Sequence, residues 1–138
     1  MHASDRRRLV FHGAIVLLVG LLCGIPQASA ITGGADPARI RAWQAAHTAI
    51  MLSGIMQIAI AGALPVMMEA PARWLVRLLI VAGYGSVVGL GVAAASGYRG
   101  LTPDGPALNL LAFAGNLVVA ATTLTALPLL IWATRGRA

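Results

Sequence analysis

The stretch Leu78–Tyr98, LLIVAGYGSVVGLGVAAASGY, runs for 21 residues without a charge. At about 1.5 Å of helical rise per residue, that length crosses a hydrocarbon core about 30 Å thick. Working outward, residues 9–35, 42–68 and 105–134 are also free of charge, and the ten arginines and four acids fall in five short groups around these stretches. With 59% hydrophobic and only 10% charged residues, against about 25% charged in a soluble domain, a water-soluble globule is excluded. Four crossings consume nearly the whole chain. The fold class is therefore all-α, an integral membrane four-helix bundle forming a single domain, 1–138, with helices expected at about 9–28, 37–64, 73–96 and 107–134.

Local signals place the ends of these helices. Span one loosens at Pro26 and at Gly33-Gly34. Asp36 followed by Pro37 reads as an N-cap and first helical residue, because the Asp oxygen accepts orphan amides and Pro has none to lose. Span two ends near Pro65, Pro71 introduces span three, Gly97 and Gly100 let the chain turn, and Pro103 and Pro106 precede span four. Gly85, Gly89, Ala93 and Gly97 form a stripe of small residues, which in lipid lets helix backbones approach closely; Gly20 and Gly24 make a weaker version in span one. Arg6-Arg7-Arg8, the apolar run 14–25 and Ala28-Ser29-Ala30 mimic a secretory signal, but the first helix is expected to be retained.

The net charge of +6 does not suggest nucleic acid, since the arginines sit at helix ends and form no continuous basic face. The expected partner is the lipid bilayer. Seven arginines lie on the side of the termini and the 69–77 loop, and Arg39, Arg41 and Arg99 on the other. The positive-inside rule then puts both termini in the cytoplasm. Cys23 is the single cysteine, so no disulfide forms within the chain.

Polar side chains within a bilayer are expensive and mark cavities, cofactors or helix contacts. The candidates are His12, His47, Ser53, Gln57, Tyr84, Ser86, Asn109, Asn116 and the Thr122, Thr123, Thr125 group, the threonines being explained by bonds back to their own helix. His12 and His47 lie about 15–18 Å apart in depth, too far to clamp one haem iron from both faces. His47 has Arg39, Arg41 and Trp43 above it and Met51 and Gly54 along its face, with Gly54 expected to leave room for a flat ligand. A helix-packing histidine and a metal or haem ligand are both open readings. No Ser-His-Asp set, paired carboxylates, phosphate loop or zinc spacing is present, and the acid-free interior argues against a proton or cation transporter.

The run Arg41-Ala42-Trp43-Gln44-Ala45-Ala46-His47, followed by Leu52-Ser53-Gly54, resembles the second-helix signature of bacterial styrene-oxide isomerases. Phe11-His12-Gly13, Leu64-Pro65 and Arg99-Gly100-Leu101-Thr102 extend the resemblance, and Tyr84-Gly85-Ser86 is similar to hydroxylaminobenzene mutases of the same layout. It implies a homotrimer binding haem b at subunit contacts through the second-helix histidine, here His47, whose iron acts as a Lewis acid toward a substrate oxygen. Three departures stand out: Ser53 where the relatives carry Asn, Ser86 where an Asn follows the aromatic in their third helix, and Leu90 near a Tyr of the isomerases. Tyr84 lies six residues away, a turn of about 240° at roughly 100° per residue.

The reading of the sequence is a multi-pass protein of the bacterial inner membrane that rearranges a small apolar aromatic epoxide or hydroxylamine. The site would comprise His47 as iron ligand, Arg39, Arg41, Trp43, Met51 and Gly54 around the haem, with Arg39 and Arg41 as candidates for its propionates, and Tyr84, Ser53, Ser86 and Asn116 as candidate catalytic groups. The alternative is a non-catalytic haem sensor, an electron-transfer subunit or a membrane scaffold.

Overall fold

The computed structural model describes residues 2–135, and no strand occurs among them. Helices α1 (His2–Leu22) and α2 (Gly24–Thr32) form one broken crossing. They are followed by α3 (Pro37–Ala63), a single 3-10 turn (Leu64–Val66), α4 (Glu69–Ser96) and α5 (Ala107–Thr134). Four apolar helical runs of 26 to 30 residues, Ala3–Thr32, Pro37–Val66, Pro71–Ser96 and Ala107–Thr134, are each long enough to span a membrane. The chain is an all-α, multi-pass membrane protein. Arg137 lies outside the described residues.

Capping chemistry accounts for several of the ends. Asp36 Oδ1 accepts the amides of Ala38 (2.9 Å) and Arg39 (3.0 Å), with Pro37 in the first turn, as its position before Pro37 implies. Gly97 closes α4 in the left-handed region, φ 79°, which costs a glycine little. Two helices run past the expected bounds. The first continues back through Arg6-Arg7-Arg8 to His2, and α4 begins at Glu69 with Pro71 in its first turn, where an amide would have had no helical partner.

The first crossing breaks at Cys23. Pro26 has no N–H to return to the carbonyl of Leu22, four residues back, and its ring crowds that carbonyl. The irregularity expected at Pro26 is thus displaced three residues toward the N-terminus, and it carries functional weight below.

Helices α1, α3 and α4 pack against one another, while α5 packs almost wholly on α4. The interior divides into two apolar clusters. One gathers Leu9, Ala61, Leu64, Met67, Leu75 and Val76 at the end nearer the termini, with Ala126 and Ala133 of α5. The other joins Val16, Ala46, Ile50 and Ala94, flanked by Trp43, Cys23 and Leu90.

Between the clusters the helices cross on glycine. A methyl at Gly54 would stand 2.6 Å from the Leu17 amide nitrogen and 2.7 Å from the Gly13 carbonyl oxygen. In lipid, where apolar burial gives little drive between helices, this closeness is what van der Waals packing requires. On the other side, a methyl at Gly115 would stand 2.6 Å from Gly89 Cα, and Gly85 lies against Val118 and Val119. The stripe at Gly85 and Gly89 is therefore spent within the chain, on α5.

The connection after α4 folds inward. Gly100, at φ 58°, packs against Ala112 and Phe113 so closely that a methyl would reach 2.6 Å from Ala112 Cβ. Asn109 Oδ1 accepts the Gly100 amide (3.0 Å), and Asn109 Nδ2 donates to the carbonyls of Thr102 (2.9 Å) and Asp104 (2.6 Å). Asn116 Nδ2 donates to the Gly100 carbonyl at 3.1 Å. Backbone groups that water would otherwise satisfy are satisfied by two carboxamides.

Candidate functional site

The seat of His47 is built by the break in the first crossing. Its Nδ1 lies 2.8 Å from the carbonyl oxygen of Gly20, one turn before the interruption. A carbonyl only accepts, so Nδ1 carries a proton, and in the neutral ring Nε2 then keeps its lone pair. No hydrogen-bond partner for Nε2 occurs among the described residues. Gly24 lies flat against the ring, where a methyl would stand 3.1 Å from Cε1 and 3.3 Å from Nδ1. Met51 packs over Gly20, and Trp43 borders the cluster of Ala46 and Ile50 beside it.

This arrangement fixes tautomer and ring orientation together. A neutral imidazole whose Nδ1–H is held by a backbone carbonyl is the form that ligates a metal through Nε2, and the second-shell bond raises its basicity. Among the described residues no group of three or more His, Cys, Asp or Glu side chains comes together. A metal at His47 would find fewer than three such side chains among the described residues, which suits an ion carried in its own macrocycle better than a bare cation.

The other polar candidates fall into separate places. Tyr84 Oη lies 2.9 Å from His12 Nδ1, with the rings edge to face at 5.7 Å. His12 precedes Gly20 by eight residues, about 12 Å along the helix, so the structure brings Tyr84 to His12 and not to His47. Ser86, buried, donates to the Gly83 carbonyl of its own helix at 2.7 Å. Thr122 and Thr125 bond back to Val118 and Ala121 in the way expected of them. Asn116 ties α5 to the inward loop. Ser53 is half-buried on α3, and Leu90 packs beside the Trp43 cluster.

One expectation needs correction, and the placement of two arginines is a finding beside it. Gly54 leaves no room for a flat ligand, because the backbone of α1 fills the space a side chain would take. Arg39 and Arg41 line a groove between α3 and α4 that His47 does not line, and His47 faces α1 and α2 instead.

The family model described as styrene oxide isomerase matches residues 5–135. The chain belongs to the styrene oxide isomerase family. No curated protein matches it. Membership makes this an isomerase-type membrane protein, and the match covers all four crossings. Within the styrene oxide isomerase pattern, the second-helix histidine of the resemblance falls on His47, whose ring is, among the described residues, the imidazole held by a backbone carbonyl.

Three features of the site escaped sequence reasoning. Gly20 gave no sign of lending its carbonyl to a side chain, although Pro26 close by was the signal that the helix would open. The His12–Tyr84 pair needed the packing of α1 on α4, since the residues are far apart in sequence. Gln57 was named among the membrane polar groups, but its burial between Gly13 and Gly83 with both amide atoms unpartnered follows only from the glycine crossings.

Proposed function

We propose that this protein is a haem b isomerase in which His47 would hold the iron through Nε2, acting on a small apolar aromatic epoxide or hydroxylamine that enters from the bilayer. The observation that supports it is the His47–Gly20 bond, which leaves one imidazole nitrogen free in a protein of this family. Residues present fit the group: one oriented neutral imidazole, small neighbours at Gly20 and Gly24, and no second histidine at that depth. When bound, haem supplies a Lewis-acidic iron toward a substrate oxygen.

The protein's own contribution is positional. His47 would hold the iron, the Gly20 carbonyl holds the ring, and the apolar surroundings of Trp43 and Ile50 exclude water. A homotrimer in the cytoplasmic membrane, with both termini inside, completes the proposal. Its support is the α5 surface left bare by α4, which exposes Leu117, Leu124 and Ile131, and the arginine asymmetry.

Ser53 and Leu90 favour one second reading, a haem protein of this scaffold that does not rearrange epoxides. The test is a visible spectrum of detergent-purified protein expressed with ample haem. A Soret band that is lost in His47→Ala supports the ligand, and no band, or an unchanged band in the variant, refutes it. Turnover of styrene oxide or phenylhydroxylamine then separates isomerase from non-catalytic haem protein.

A further inference from the structure

Arg39, Arg41 and Arg99, the three arginines at the end of the bundle away from the termini, line a single groove of about 640 Å³. It lies between the first turns of α3, the last turns of α4 and the chain that follows. Its one acid, Asp36, gives Oδ1 to the amides of Ala38 and Arg39. Among the described residues none of the three guanidinium groups forms an ion pair. Apolar side chains of Ala42, Ala45 and Leu90 also line the groove.

Three uncompensated cations at a membrane surface, beside the apolar side chains of Ala42, Ala45 and Leu90, call for a ligand that is anionic at one end and hydrocarbon at the other. Guanidinium forks match phosphate oxygens, and anionic lipids are concentrated where basic side chains meet the headgroup layer. We propose that this groove binds one anionic phospholipid from the leaflet opposite the chain termini. Its phosphate is held by Arg39, Arg41 and Arg99, and an acyl chain lies along Ala42, Ala45 and Leu90. Because His47 does not line the groove, the lipid site stands apart from the haem seat.

The test counts lipid, not turnover. Full-length protein from haem-depleted cells is incubated in mild detergent with equal amounts of phosphatidylglycerol and phosphatidylcholine and examined by native mass spectrometry. The expected result is one phosphatidylglycerol retained per chain in preference to phosphatidylcholine. Each single Arg→Gln change should weaken retention about fivefold, from about one kilocalorie per basic residue at an anionic surface.

The Arg39→Gln/Arg41→Gln/Arg99→Gln variant should lose about a hundredfold, and the corresponding Lys variant should recover part of it. Arg77→Gln, on the opposite surface, should leave retention unchanged. Undiminished phosphatidylglycerol in the triple Gln variant, or equal retention of the two lipids, overturns the proposal. So does displacement by millimolar glycerol 3-phosphate, which would make it a site for free phosphate esters. Displacement by added haem would assign the groove to propionates and also overturn it. Since the preparation is haem-free, failure here is distinct from failure of the His47 reading, which is read in the Soret band.

Discussion

Replacing Gly24 with alanine places a methyl 3.1 Å from His47 Cε1 and 3.3 Å from Nδ1. Carbon atoms pack best at about 3.5–4.0 Å, so the ring must recede by about 0.4 Å or more. The motion carries Nδ1 away from the Gly20 carbonyl, now at 2.8 Å, toward the limit of about 3.2 Å for a good N–H···O bond. Loss of a second-shell partner costs about 10–100-fold in metal affinity, which is about 1.4–2.7 kcal/mol. The helix itself gains from the change, since alanine is favoured over glycine by about 1 kcal/mol. Weaker binding could not then be blamed on unfolding. The assay is a haem titration of the apo protein followed at the Soret band, with a thermal melt in parallel. Gly24→Ala should weaken haem binding about tenfold at an unchanged or higher melting temperature. Gly20→Ala should instead destabilise, because its methyl would meet the Met51 backbone nitrogen at 2.6 Å. Unchanged haem affinity in both Gly24→Ala and the bulkier Gly24→Val would refute the idea that this seat orients the ligand.

Gln57→Met should raise the melting temperature, because it removes two buried amide atoms that have no partner, each of which costs about 1–3 kcal/mol when unsatisfied; a lower melting temperature would show that Gln57 is partnered after all. Asn116→Ala should orphan the Gly100 carbonyl, destabilise by about 1–3 kcal/mol and speed hydrogen exchange in residues 97–106, so uniform exchange would count against the clamp. Tyr84→Phe removes the hydroxyl bonded to His12; it should cost about 0.5–1.5 kcal/mol of stability while leaving the Soret maximum in place, and a shifted band would mean that Tyr84 reaches the haem.

Charge placement made the four crossings legible, because uncharged stretches of that length have few other uses. Asp36-Pro37 was equally readable, since capping depends on adjacent residues alone. The site was legible only in part. His47 stood out because a familiar run surrounds it, yet its seat depends on a carbonyl 27 residues away, beside a helix break that lies three residues before Pro26. Gly54 looked like space for a ligand, but a missing side chain reads the same whether a cofactor or another helix takes its place. Asn116 was open to an interhelical hydrogen bond and serves the loop backbone instead, because Gly100 lets the chain turn inward at φ 58°, a fold no helical periodicity encodes.

The lopsided attachment of α5 bears on how the protein is made. The mutual contacts of α1, α3 and α4 are available as soon as Ser96 has been synthesised, whereas α5 adds its main contact, to α4, only afterwards. The inward loop cannot settle earlier than that, for both of its carboxamide clamps lie on α5. The fold therefore permits an order of assembly in the membrane: a three-helix unit can form before the last helix docks along the glycines of α4, and the connection between them can be sealed only after that.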